Sequence, residues 1–117
     1  MKVIGYGLGN IYKNFKKQIE LEYDVIGWCD SEIEKIKDIR NGITPEELMF
    51  MDKELYDNII ILPIQPSACE SILNKCTTQL RIPREKIIFI QETDVLLKKE
   101  IKCQKNRYMG SGERMLF

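Results

Sequence analysis

The chain has 117 residues, 44% of them hydrophobic, enough for one core and one ordinary domain and too few for a second folded unit. Its 18 basic and 18 acidic side chains cancel and are interspersed, which leaves no basic field for a polynucleotide or an anionic membrane surface. No apolar run approaches the roughly 20 residues that cross a bilayer, and the N-terminus enters a strand without the apolar segment of a signal peptide, so a cytoplasmic protein without nucleic-acid or membrane partners is expected.

Lys2-Val3-Ile4 begins a short apolar strand that breaks into Gly5, Gly7 and Gly9 at alternate positions, followed by Asn10 and Ile11. Backbone amides approach an anion closely only where side chains are absent, and the N-terminus of a following helix favours negative charge, so this turn points to phosphate. Gly5 and Gly7 fit the first two positions of the dinucleotide fingerprint G-x-G-x-x-G, while Asn10 stands where the third glycine belongs. A tight strand-to-helix turn with no ligand is the competing reading. Ile11, Phe15 and Ile19 then recur at four-residue spacing among lysines and Glu20, which predicts a helix with one buried stripe to about Leu21.

Val25-Ile26-Gly27-Trp28-Cys29 is an almost wholly apolar run of strand length, as in strands covered on both faces, and Asp30 ends it. Ser31 is an expected N-cap for a helix over Glu32 to Ile39, which Asn41-Gly42 stops. Ile43 hints at a further strand, and Thr44-Pro45-Glu46-Glu47 carries a capping box for a helix over Pro45 to Met51. Asp57-Asn58-Ile59-Ile60-Ile61-Leu62 is another apolar strand with a rigid exit at Pro63-Ile64-Gln65-Pro66, and a helix is expected from Ser67 to Leu80. Lys86 to Ile90 is the last apolar strand, and one more helix is expected over Thr93 to Ile101.

Strands alternating with helices at this spacing imply β-α-β units. The expected fold is α/β: a small Rossmann-like domain, with a mostly parallel sheet of four to five strands and helices on both faces. That domain should span residues 1–92, with 93–117 a C-terminal helix and a tail that serves as a mobile end, a linker or a partner contact.

Ligands of such sheets sit at the carboxyl ends of the strands, at the switch point beside the first strand. The residues expected there are Gly5, Gly7, Leu8, Gly9, Asn10 and Ile11 around phosphate, Asp30 and Ser31 at the corner after the second strand, and Pro63 and Gln65. Asp30 lies about 20 residues beyond the glycines, the distance at which an acid accepts hydrogen bonds from a ribose diol; within the dinucleotide reading this prefers NAD to NADP. The other reading makes Asp30 a cap on the next helix. The same glycines fit the G-x-G-x-G turn of S-adenosylmethionine sites, but apolar Val3 occupies the place of the acid usual there.

Catalysis has no identifiable agent. There is no histidine, and the Tyr12-Lys13-Asn14-Phe15-Lys16 match to a dehydrogenase Tyr-x-x-x-Lys lies on the helix after the glycine turn, away from the reacting end of a dinucleotide. Tyr12 is expected to pack and Lys16 to be solvated. Cys29, Cys69, Cys76 and Cys103 form no C-x-x-C pair, so no metal site is expected and the thiols read as reduced and mostly buried.

The succession of the glycine turn, Val25-Ile26-Gly27-Trp28-Cys29-Asp30, Asn41-Gly42-Ile43-Thr44-Pro45-Glu46-Glu47-Leu48, Tyr56-Asp57-Asn58-Ile59-Ile60-Ile61 and Ile82-Pro83-Arg84-Glu85-Lys86-Ile87-Ile88 resembles the Rossmann-like nucleotide-binding domain of bacterial surface-polysaccharide and nucleotide-sugar proteins. There it commonly precedes a methyltransferase, glycosyltransferase or acyltransferase domain. The resemblance covers about residues 1–90 and implies a nucleotide, NAD or a nucleotide sugar as ligand and a role in carbohydrate or surface-polysaccharide metabolism; a homo-oligomer or a missing partner domain is the partner expected beside that ligand. A fragment of an S-adenosylmethionine-dependent methyltransferase and a ligand-free protein-interaction module are the alternatives.

Overall fold

In the computed structural model, which describes residues 1–96, five strands form one all-parallel sheet in the order β3-β2-β1-β4-β5. The strands are β1 (Lys2–Tyr6), β2 (Asp24–Cys29), β3 (Gly42–Ile43), β4 (Asn58–Ile61) and β5 (Ile87–Phe89), and the helices are α1 (Asn10–Glu22), α2 (Ile33–Ile36), α3 (Pro45–Phe50) and α4 (Pro66–Asn74). The chain winds outward from β1 through β2 to β3, then returns to β4 on the other side of β1, so the small Rossmann-like fold expected from the sequence is the fold observed.

Alternate residues of the central strands feed two separate cores, because successive strand side chains point to opposite faces. Ile4, Tyr6, Ile59 and Ile61 pack with Leu48 of α3 and with Ile72, Leu73 and Cys76 on one face, while Val3, Ile60 and Leu62 pack with Ile11, Phe15 and Ile19 of α1 and Ile36 of α2 on the other. Ile59, Ile60, Ile61 and Leu62 are all fully buried, which is why this segment reads as an unbroken apolar run. Each such side chain contributes roughly 1.5–3 kcal/mol by leaving water.

Several helix bounds differ from the sequence pattern for identifiable reasons. The capping box at α3 is present as expected: the Glu47 N–H donates to Thr44 Oγ1 at 3.1 Å and the Thr44 N–H to Glu47 Oε1 at 2.8 Å. The helix expected over Glu32 to Ile39 shrinks to α2, where Ile36 is buried and Ile33 is 63% exposed; a single packed residue supports little more than a turn. Ser31 is not its cap, since α2 follows Glu32 and has no side-chain cap.

The helix expected over Ser67 to Leu80 begins one residue earlier and changes form midway. After α4 the chain makes a π-type turn over Lys75–Gln79, in which the Leu80 N–H reaches the Lys75 carbonyl at 3.0 Å. The hydroxyls of Thr77 and Thr78 bond back to the Leu73 and Asn74 carbonyls just before it, a competition with the helical ladder that loosens the winding. Arg81 ends the turn in the left-handed region at φ 58°. The final expected strand stops at Phe89, and a 3-10 turn over Ile90–Glu92 follows with Ile90 still fully buried. The expected helix over Thr93 to Ile101 and the tail lie largely outside the described residues.

Candidate functional site

Where the winding reverses, β1 and β4 stay paired to their carboxyl ends, but the connections that leave them go to opposite faces of the sheet and leave a crevice, the place at which open α/β sheets hold ligands. A cavity of about 500 Å³ lies there. The turn after β1 supplies one wall through Gly7, Leu8, Gly9, Asn10 and Ile11, the segment after β4 supplies another through Pro63, Ile64 and Gln65, and Asp30 closes the side beyond β2. Three stretches singled out by the sequence, separated by about 20 to 55 positions, therefore meet at one opening.

The glycines divide by what a side chain would strike. Gly5 lies inside β1 and not in the turn: a Cβ there would sit 2.6 Å from the ring of Trp28, its partner in register on β2, so its role is to admit that indole. The ring of Tyr12 meets Trp28 edge-on at 4.9 Å, with Lys16 Nζ 5.5 Å from the Tyr12 centroid, which makes Tyr12 a packing residue as expected. Gly7 has φ +98°, and a Cβ on it would lie 2.5 Å from Pro63 Cδ; its N–H donates to the Cys29 carbonyl at 2.9 Å, fixing the turn to β2. A Cβ on Gly9, which borders the cavity, would meet nothing within 4 Å.

Gly9 precedes α1, which has neither a side-chain cap nor an acidic residue in its first turn. Its leading amides and the positive end of its dipole are thus left to face an anion. Asn10, in the place of the third glycine, is exposed, and α1 reaches the sheet through Ile11, Tyr12, Phe15 and Ile19; the Asn10 side chain does not hold the helix off the strand. Two cavity residues had no motif to announce them, Lys13 on α1 and Lys35 on α2, and Ala68 and Ile72 of α4 add an apolar floor.

Asp30 is 8% exposed, and each of its oxygens accepts one backbone hydrogen bond. The Leu8 N–H donates to Oδ2 at 2.8 Å and the Glu32 N–H to Oδ1 at 2.8 Å, so the carboxylate straps the glycine turn to the start of α2. The expected acceptor of a ribose diol is thus also the cap of its own corner. Ser31 is not among the residues around the cavity: its hydroxyl lies 3.2 Å from the Tyr6 hydroxyl and accepts from Lys75 Nζ at 3.3 Å.

Burial pushes the thiols of Cys29 and Cys76 up, Cys76 to about 12, and half-buried Cys69 is shifted the same way while its thiol donates to the Pro63 carbonyl at 2.9 Å. Such thiols are poor nucleophiles. Among the described residues no group of acids and cysteines is placed to hold a metal ion, and no helix is long and apolar enough to cross a membrane. Comparison with protein-family models, with curated proteins and with solved structures finds no match to this chain.

Proposed function

We propose that this domain binds NAD or a nucleotide sugar, with the ligand's phosphates at the turn from Gly7 to Ile11. The observation that carries the reading is the cavity at the β1/β4 switch point, where a glycine turn, an uncapped helix start and two lysines border one opening of ligand size. Val3, fully buried in the sheet, supplies no acid for the S-adenosylmethionine alternative. With no histidine in the chain and with Cys29 and Cys76 held protonated, binding is favoured over catalysis. The setting in carbohydrate or surface-polysaccharide metabolism rests on the resemblance of the ordered segments.

Thermal unfolding with NAD, NADP, S-adenosylmethionine, UDP and UDP-sugars tests the reading, because a ligand of the folded state alone adds about 2.7 kcal/mol at 100-fold saturation. A shift with NAD or a UDP-sugar is expected. The absence of any shift at millimolar concentration, or a shift with S-adenosylmethionine alone, would reject it.

A further inference from the structure

We infer that Arg84 and Glu92 hold the outer edge of β5 shut against strand addition, so that a second copy of the chain cannot extend the sheet there while both side chains are in place. In a parallel ladder each residue turns its N–H and its carbonyl to the same side, and successive residues alternate. Ile88 faces β4, while Ile87 and Phe89 face away from it, with no strand beyond them among the described residues. An outward row of such groups is a template for another chain. Here all four have local partners. The Ile87 N–H donates to the Arg84 carbonyl, and the Ile87 carbonyl accepts from Arg84 Nη1 at 2.8 Å. The Phe89 N–H donates to Glu92 Oε1 at 2.8 Å, and Phe89 leads into the 3-10 turn over Ile90–Glu92, whose first bond its carbonyl accepts. Arg84 Cζ lies 5.5 Å from the Phe89 ring centroid, which keeps the guanidinium along the strand.

The opposite edge of the sheet is closed in the same way. The Trp28 N–H donates to the Asn41 carbonyl, which turns Asn41 towards β2 and leaves the amides of Gly42 and Thr44 facing outward. Gly42 donates to the Ile39 carbonyl at 3.1 Å and Thr44 to Glu47 Oε1 at 2.8 Å. At both edges one outward amide is taken by a carbonyl three residues back, and the next by a glutamate three residues ahead. The edges differ in what they would offer if opened. β3 has two residues, one of them glycine, and is too short to template a partner. β5 is Ile-Ile-Phe, β-branched and aromatic without a charge, a composition that pairs readily, and its closure hangs on two exposed side chains. Loss of the seal at β5 therefore exposes a pairing surface for the same strand of another copy. A partner of the intact protein meets its helical faces or strand ends and adds no strand.

Sedimentation of the full chain from micromolar to millimolar concentration, beside Glu92→Gln and the double variant Arg84→Ala with Glu92→Ala, tests the inference. The double variant is expected to associate beyond the wild-type state as concentration rises, whereas Glu92→Gln, which keeps an Oε1 acceptor for the Phe89 amide, should sediment as wild type. A double variant with native circular dichroism and wild-type sedimentation would overturn the inference. Equal association of Glu92→Gln would overturn it too, by assigning the effect to lost charge. Should the double variant fail to fold, Glu92→Ala alone decides, since it removes the Phe89 bond and leaves both Arg84 bonds in place. Its Phe89 amide should then exchange with deuterium about ten-fold faster than in wild type, and its association should exceed that of wild type. A wild-type value of either would overturn the inference.

Discussion

Gly7 and Gly9 stand two positions apart in one turn, yet they should respond to a side chain in opposite ways. At Gly7, φ +98° strains any L residue by about 1–2 kcal/mol, and forcing a Cβ to 2.5 Å from Pro63 Cδ adds about 1–3 kcal/mol of overpacking. Gly7→Ala should thus lose about 2–5 kcal/mol, a large part of the ~5–15 kcal/mol typical of a domain. At Gly9 a Cβ meets nothing within 4 Å, and Gly9→Ala or Gly9→Val should shift stability by less than about 1 kcal/mol. The added methyls would instead keep an anion from the amides that start α1, which at ~1.5–3 kcal/mol for a charge-assisted hydrogen bond means about a ten-fold loss of affinity or more. Urea unfolding followed by the fluorescence of Trp28, the sole tryptophan, measures the first effect, and titration with UDP-glucose or NAD measures the second. Full affinity in Gly9→Val would place the ligand elsewhere, and wild-type stability in Gly7→Ala would contradict the turn geometry.

Gly5→Ala should destabilise by about 1–3 kcal/mol and shift the emission of Trp28, whose ring lies 2.6 Å from the added carbon; an unchanged spectrum and midpoint would count against that packing. Alkali should unfold the protein early. Burial raises the Cys76 thiol from its ordinary 9.0 to about 12 and raises Cys29 and the Tyr6 phenol as well. The folded state keeps protons that the unfolded chain releases, so their contribution is complete below pH 9 and declines toward pH 12, by ~1.4 kcal/mol per pH unit for each group. Melting temperatures that stay level from pH 8 to 11 would refute this, and Cys76→Ala should lessen the slope. Arg81→Gly should raise stability by up to about 1 kcal/mol by relieving φ 58° where the π-type turn ends, and a loss in denaturation midpoint would oppose that account.

Unbroken apolar runs announced β2 and β4, which are covered on both faces, and the capping box announced the start of α3 at Pro45, while its end falls at Phe50, one residue before the expected Met51. β3 was harder to read because two residues, Gly42 and Ile43, have no periodicity to display. The π-type turn left no trace in the pattern: Cys76 and Leu80 fit a regular apolar stripe equally well whether the backbone winds by four residues or five. At the site, Gly7, Gly9 and Asp30 were visible because turn chemistry and strand ends constrain residue type. The direction in which Asp30 points was not visible, being fixed by amides contributed from Leu8 and Glu32. Lys13 and Lys35 escaped notice because exposed lysines on helices are common, and only the meeting of α1 and α2 at one opening gives them a shared role.

The strand order also sets a sequence of events during synthesis. Of the five described strands β1 leaves the ribosome before the others and becomes the middle of the sheet, and its two edges are completed at different times. One is covered by β2, whose corner residue Asp30 bonds 22 positions back to Leu8; the other waits for β4, whose neighbour Asp57 bonds 55 positions back to the Lys2 N–H. Closing the longer loop is the slower step, and until it occurs β1 presents an open hydrogen-bonding edge. The cavity is finished by the same step, because Pro63 to Gln65 arrive with β4. A ligand at this site therefore recognises only chains that have passed the slowest stage of assembly, and its presence in the cell would bias nascent molecules away from edge-to-edge association.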